Sequence, residues 1–185
     1  MELTRQKILI DIDDTFLKSY CKCQSIIENN MQNKTNEMCA SDKNFYNVFF
    51  NDGAIKFIDK YSKLFDIVFV SYGTEEDLYY KAEILTRVIN TYDIDNVFLI
   101  ACETDKANKS EILLDNVYVA IDSHTKHLEE LNAPKKILLK NFQETDYNKT
   151  PINDEYTYIA NSLDEIDKMI EFDLKLKDMG VWLDA

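Results

Sequence analysis

The junction at which the apolar run Lys7 to Ile10 breaks into Asp11-Ile12-Asp13-Asp14-Thr15 constrains this chain more than any other feature. An apolar run that stops abruptly against carboxylates reads as a buried strand opening into a loop at its carboxyl end. The pattern returns at Ile67 to Val70, closed by Ser71-Tyr72-Gly73-Thr74, then at Val97 to Ala101 and Tyr118 to Ile121. Lys136 to Leu139 supplies a fifth strand.

Helical stretches separate these runs. From Gly53 onward, Ala54, Phe57, Ile58, Tyr61 and Phe65 recur with the spacing of an amphipathic helix lying on a sheet. Thr74, with Asp77 three residues on, predicts a capping box that opens a helix from Glu75 to about Asn90. Val97 to Ala101 and Tyr118 to Ile121 are each followed by polar residues and a further helical stretch. Ser162 with Glu165 forms another box, and Leu163, Ile166, Met169, Ile170 and Leu174 form the apolar face of a last helix that Gly180 can end. Alternating strand and helix predicts an α/β fold, a Rossmann-like parallel sheet flanked by helices.

Residues 16–53 do not follow this rhythm. They carry helical character near Ser25 to Met31 and an aromatic cluster of Phe45, Tyr46, Phe49 and Phe50. This stretch reads as a small, mainly helical cap inserted after the first strand, with 1–15 and 54–185 forming the α/β core. Gln143 to Glu155 is polar and reads as an irregular connection.

Composition narrows the function classes. With 185 residues, 45% of them hydrophobic, there is material for one packed domain with an insert. A formal net charge of −13, with no local basic patch, argues against binding duplex nucleic acid as a main function. It does not exclude small anions, which a cation, a lysine and backbone amides can hold locally. The apolar stretch near the N-terminus is too short for a signal peptide, and the longest run, Val97 to Cys102, is too short to span a bilayer. The expectation is a cytoplasmic protein with no membrane role, its oligomeric state left open, a homodimer included. Cys21, Cys23, Cys39 and Cys102 lack the spacing of zinc knuckles, and Asn33, Asn108 and Asn148 match the glycosylation pattern without a secretory route to give it meaning.

In an open parallel sheet, ligands bind beyond the carboxyl ends of the strands. Here those ends carry Asp11 and Asp13, then Ser71, then a loop with Lys106 and Lys109, then Asp122. Carboxylates crowded at one site repel each other unless a cation offsets them, and magnesium, a hard ion with oxygen ligands, suits them. A carboxylate can also be a nucleophile, forming an aspartyl phosphate that water hydrolyses. In that scheme Asp11 attacks, Asp13 shuttles the proton, Ser71 and the Gly73 amide region hold phosphate oxygens, and Lys109 fixes charge. Thr15 and Tyr72, in the same loops, are further phosphate-contacting candidates. Lys109 is preferred to Lys106 because it directly precedes Ser110-Glu111-Ile112-Leu113-Leu114, at a helix start. Asp11, Asp13 and Asp122 are the expected metal ligands. His124 and His127 read as solvated residues of a surface helix.

Asp11-Ile12-Asp13-Asp14-Thr15, Ser71 after Ile67-Val68-Phe69-Val70, Lys109, and Asp122 after Val119-Ala120-Ile121 resemble the motifs of haloacid-dehalogenase-like (HAD) phosphatases. The resemblance covers residues 7 to about 140. It implies that Asp11 is the nucleophile, Asp13 the general acid and base, and Asp122 a magnesium ligand. Phe49-Phe50-Asn51-Asp52-Gly53-Ala54 also looks like the cap-to-core junction of the 5'(3')-deoxyribonucleotidases. That likeness implies a 5'-nucleotidase acting on (deoxy)nucleoside monophosphates, with cap aromatics such as Phe49 stacking on the base or forming the cap's own core. A general small-molecule phosphatase, a polynucleotide 3'-phosphatase and a non-catalytic nucleotide- or protein-binding descendant are the alternatives. Tyr72 stands where that subgroup usually has proline, and Ser123 where a second acid is common.

Overall fold

The computed structural model describes residues 5–17, 50–103, 109–140 and 157–180. Its elements follow the order β1 (Lys7–Asp11), α1 (Ala54–Tyr61), β2 (Asp66–Gly73), α2 (Glu75–Tyr92), β3 (Val97–Glu103), β4 (Val117–Asp122), α3 (Thr125–Glu130), β5 (Lys136–Leu139), β6 (Thr157–Ala160) and α4 (Leu163–Asp178).

The strands form one six-stranded sheet in the order β3-β2-β1-β4-β5-β6. Every pairing is parallel. The chain builds outward from β1 to β3 on one side and from β4 to β6 on the other. The order therefore reverses between β1 and β4, and such a reversal opens a crevice at the carboxyl strand ends.

Alternate residues of β1 enter different cores. Ile8 and Ile10 belong to a cluster with Phe57, Ile58 and Tyr61 of α1, Leu85 and Val88 of α2, and Leu163, Ile166 and Ile170 of α4. Leu9 faces the other layer, with Val68, Val70, Ala120, Leu128 and Leu138. A strand buried on both faces must be apolar throughout until its last residue, which is why Asp11 marks its end so sharply.

Local signals set the helix ends. The Thr74 side chain accepts from the Asp77 amide and Asp77 accepts from the Thr74 amide, the reciprocal box expected at the start of α2. At α4 the Ser162 hydroxyl accepts from the Glu165 amide at 3.2 Å, while the Glu165 carboxylate accepts from the Asn161 amide at 2.7 Å. Gly180, at φ 72°, closes that helix in the left-handed region that glycine enters at little cost.

The sequence misses β6, whose residues Thr157 to Ala160 follow the polar connection, and it stops β2 and β3 short. The helical stretch expected after Lys109 is a single 3-10 turn, Lys109–Glu111. Leu113 beyond it is 80% exposed, so no amphipathic face is formed there to hold a helix on the sheet.

The chain leaves and re-enters the core at adjacent points. Leu17 and Phe50 form an antiparallel bridge, and the Asn51 amide donates to the Phe16 carbonyl at 2.9 Å. Phe16, Leu17 and Phe50 are buried in the core cluster. Residues 18–49, which include Cys21, Cys23, Cys39, Phe45, Tyr46 and Phe49, lie outside the described residues, as do Lys106 and Gln143 to Glu155. Cys102 is a buried free thiol. Among the described residues, no helix is long and apolar enough to cross a membrane.

Candidate active site

The register brings the predicted residues to one edge of the sheet. Ile10 lies opposite Ile121, so Asp11 and Asp122 leave neighbouring strands side by side, and Asp11 lies opposite Val70, just before Ser71. After Asp11 the chain makes one wide turn, with the Phe16 and Leu17 amides both donating to the Ile12 carbonyl at 3.0 and 2.9 Å. Asp14 sits inside that turn at φ 56°, a left-handed conformation that aspartate tolerates better than most residues.

Struts from other segments fix the loop. The Asn51 side-chain amide donates to the Thr15 carbonyl at 2.5 Å and to the Asp14 carbonyl at 3.2 Å. Thr15 is fully buried, and its hydroxyl accepts from the Ser123 amide at 2.8 Å. The Ser123 hydroxyl donates to the Asp13 carbonyl at 3.3 Å. Thr15 and Ser123 thus tie the loop after β1 to the loop after β4, and Thr15 faces the protein interior rather than solvent.

At the centre is a buried lysine held by two carboxylates. The Lys109 ammonium, with no exposed side-chain surface, donates to Asp11 Oδ1 at 2.9 Å and to Asp122 Oδ2 at 2.8 Å. Burial alone would pull that ammonium down, but Asp11 and Asp122 outweigh it and hold it above the ordinary lysine range. Burial, then repulsion from Asp122 and Asp13, pushes the Asp11 carboxyl up to about 8 despite Lys109. The other oxygen of Asp122 accepts from the His124 amide at 2.8 Å.

Tyr72 positions Lys109 from below. Its phenol oxygen accepts from the Lys109 amide, and its ring lies 5.5 Å from the Lys109 ammonium. The residue that departs from proline at this point therefore anchors the turn carrying the lysine. Gly73 ends β2 where α2 begins, and a Cβ there would come within 2.9 Å of Asp77 Cβ, so nothing larger than glycine fits.

Two features escape the sequence reading. Lys81 of α2 donates to Asp13 Oδ2, to Ser71 Oγ at 3.0 Å and to the Tyr72 carbonyl at 2.7 Å. The available signal is its place in the helix: Leu78, Lys81, Leu85 and Val88 share the inward stripe, where a lysine needs a partner. The other is His127, which is not a solvated surface group. Its ring packs 5.3 Å from Tyr72 and 4.6 Å from His124, its Nδ1 lies 4.0 Å from Asp122 Oδ2, and its side chain is 30% exposed. Burial and the Lys109 charge push its imidazole down to about 4.

The two carboxylates suit a hard divalent cation, and the imidazole beside them is a softer donor. Asp11, Asp122 and His127 offer ligand atoms that all lie within 4.8 Å of one another. Lys81 and Lys109 balance two of the three carboxyl groups, and a cation reaching Asp11 would displace the proton that its raised carboxyl otherwise keeps.

No protein-family model matches the chain, and no curated protein matches its sequence. Solved structures do. YfnB of Bacillus subtilis, assigned as a HAD-hydrolase and solved with magnesium bound, superposes with a TM-score of 0.51 at 13% identity, covering 90% of this chain and 99% of that one. A haloacid-dehalogenase-like hydrolase from Xanthomonas campestris matches with a TM-score of 0.53 at 9% identity, covering 91% and 95%. The fold is haloacid-dehalogenase-like. An uncharacterized protein from Listeria monocytogenes superposes with a TM-score of 0.54 at 14% identity, over 94% of this chain and 99% of that one. The HAD-like fold accounts for the central β1 and β4 and for the strand ends at which Asp11 and Asp122 converge.

Proposed function

We propose that this protein is a magnesium-dependent phosphomonoesterase that forms an aspartyl phosphate on Asp11, and that its substrates are (deoxy)nucleoside 5'-monophosphates. The observation that carries the reading is the Asp11–Lys109–Asp122 constellation at the point where the strand order reverses, with Asp13 and Ser71 beside it.

Each residue has a role in that reaction. An Asp11 oxygen attacks phosphorus, the bond to the ester oxygen breaks, and that oxygen takes a proton from the Asp13 carboxyl. Water then attacks the phosphorus of the aspartyl phosphate and gives a proton to Asp13. The bond to Asp11 breaks, releasing inorganic phosphate and restoring the Asp11 carboxylate and the protonated Asp13 carboxyl. Lys109 opposes the charge spread over the transferring oxygens, and the Ser71 hydroxyl orients one of them. Asp11 and Asp122 would hold magnesium, which when bound neutralises phosphoryl charge, while the Asp13 carboxyl, held by Lys81, is left to the proton transfers.

The nucleotide assignment rests on the likeness of Phe49-Phe50-Asn51-Asp52-Gly53-Ala54 to the deoxyribonucleotidase junction, and Phe49 is the residue proposed to meet the base. The test is phosphate release from a panel of nucleoside 5'-monophosphates and an aryl phosphate, with magnesium or with chelator. Magnesium-dependent release ranked toward nucleotides supports the reading. Release from the aryl phosphate alone removes the nucleotide assignment, and no release from any substrate removes the enzyme.

A further inference from the structure

We propose that Lys81 is a positioning residue for proton transfer, holding the Asp13 carboxyl in register with Ser71 so that Asp13 can protonate the leaving oxygen. This rests on the phosphomonoesterase reading above.

The geometry assigns every hydrogen of the Lys81 ammonium. A lysine ammonium has three donors. Here they go to Asp13 Oδ2, to Ser71 Oγ at 3.0 Å and to the Tyr72 carbonyl at 2.7 Å. With all of them engaged, Lys81 acts as a bracket and not as another phosphate ligand. The Tyr72 carbonyl is fixed main chain of β2, so the bracket is referred to the sheet and not to a mobile side chain.

Stability does not account for the arrangement. The Lys81 side chain is 12% exposed while that of Asp13 is 43% exposed, so the carboxylate is open to water, and ion pairs with such a partner contribute little. A leucine at this place in the inward stripe of α2 would match Leu78, Leu85 and Val88 better. A buried ammonium stem that reaches out to a half-exposed carboxylate is costly for packing and useful for holding that carboxylate in one orientation.

The consequence depends on the leaving group. When the bond between phosphorus and the ester oxygen breaks, its electron pair stays on that oxygen. An alkoxide from a nucleoside needs the Asp13 proton, whereas p-nitrophenolate is stable without it. Removing Lys81 therefore slows phosphoryl transfer from a nucleotide far more than from p-nitrophenyl phosphate.

The experiment measures kcat/KM, which reports the steps through transfer to Asp11, for wild type, Lys81→Met and Lys81→Arg on both substrates with magnesium. The expected loss in Lys81→Met is about 100-fold on the nucleotide, the scale of a general acid's contribution, and under about 10-fold on the aryl ester. Lys81→Arg recovers part of the nucleotide activity, because it restores a cation to the bracket. Equal losses on both substrates, or no loss on the nucleotide, overturn the proposal while the phosphatase reading stands. A wild type inactive on both overturns that reading and this inference together. Melting temperatures accompany the series, and Lys81→Gln, which keeps a donor but no charge, replaces Lys81→Met if the latter does not fold.

Discussion

The Lys109 ammonium donates to Asp11 Oδ1 at 2.9 Å inside a site with no exposed lysine surface, and Asp122 Oδ2 accepts from the same group at 2.8 Å. A buried cation between two carboxylates is stable only as a set. Lys109→Met leaves the fully buried Asp122 without its cation, and the expected cost is about 3–5 kcal/mol of unfolding free energy. Urea denaturation at neutral pH, without divalent cations, checks this. A loss below about 1 kcal/mol would mean that the carboxylates find another partner.

Acidity gives a second prediction. The folded Asp11 carboxyl is raised from 3.8 to about 8. A group raised in this direction gives stability that is fully present below its unfolded value and is lost as pH rises through the folded value. His127, lowered from 6.5 to about 4, works oppositely: its contribution is present above 6.5 and is lost as pH falls toward 4. Above pH 6.5 only the Asp11 effect remains of the two. The melting temperature of the metal-free protein should therefore fall between pH 6.5 and 8, and in Asp11→Asn the slope should flatten. His127→Gln should instead flatten the loss of stability between pH 6.5 and 4.

Metal binding follows from the same carboxyl. A cation on Asp11 competes with its proton, so the thermal shift produced by magnesium should grow from pH 6 to pH 8. Asp122→Asn should remove most of that shift. A shift independent of pH and unchanged in Asp122→Asn would place the cation elsewhere.

Tyr72 supplies a fourth prediction. Tyr72→Phe keeps the ring beside Lys109 and removes the oxygen that accepts from the Lys109 amide. The expected cost is about 1 kcal/mol in stability, with a larger relative loss in turnover as the lysine's turn loosens. Parallel melting and kcat measurements check it, and an unchanged kcat would show that the turn holds without the phenol.

Much of this arrangement is legible in the chain because burial on both faces of β1 leaves a sharp apolar-to-acidic edge at Asp11. The same edge marks Ser71 and Asp122, and the capping pair Thr74 and Asp77 dates the start of α2 to the residue. What sequence spacing does not reveal depends on tertiary pairing. Lys81 looks like a surface lysine until the helix is rotated and its stripe partners Leu78 and Leu85 are seen to be buried. His127 looks solvated because its neighbours Lys126 and Glu129 are charged, whereas Tyr72 and Asp122, which enclose it, arrive from other strands. The strand β6 follows a long polar segment and exposes Tyr158 and Ile159 at the sheet edge, so it lacks the buried run that marks the central strands.

The proposed reaction stands or falls on Asp11 carrying the phosphoryl group. The direct measurement is acid quenching of the magnesium-loaded protein during turnover of a nucleoside 5'-monophosphate, followed by peptide mass spectrometry. The expected result is a phosphoryl group on the peptide containing Asp11, absent in Asp11→Asn together with phosphate release. Phosphate release that persists in Asp11→Asn, with no phosphoryl group on that peptide in the wild type, would contradict it.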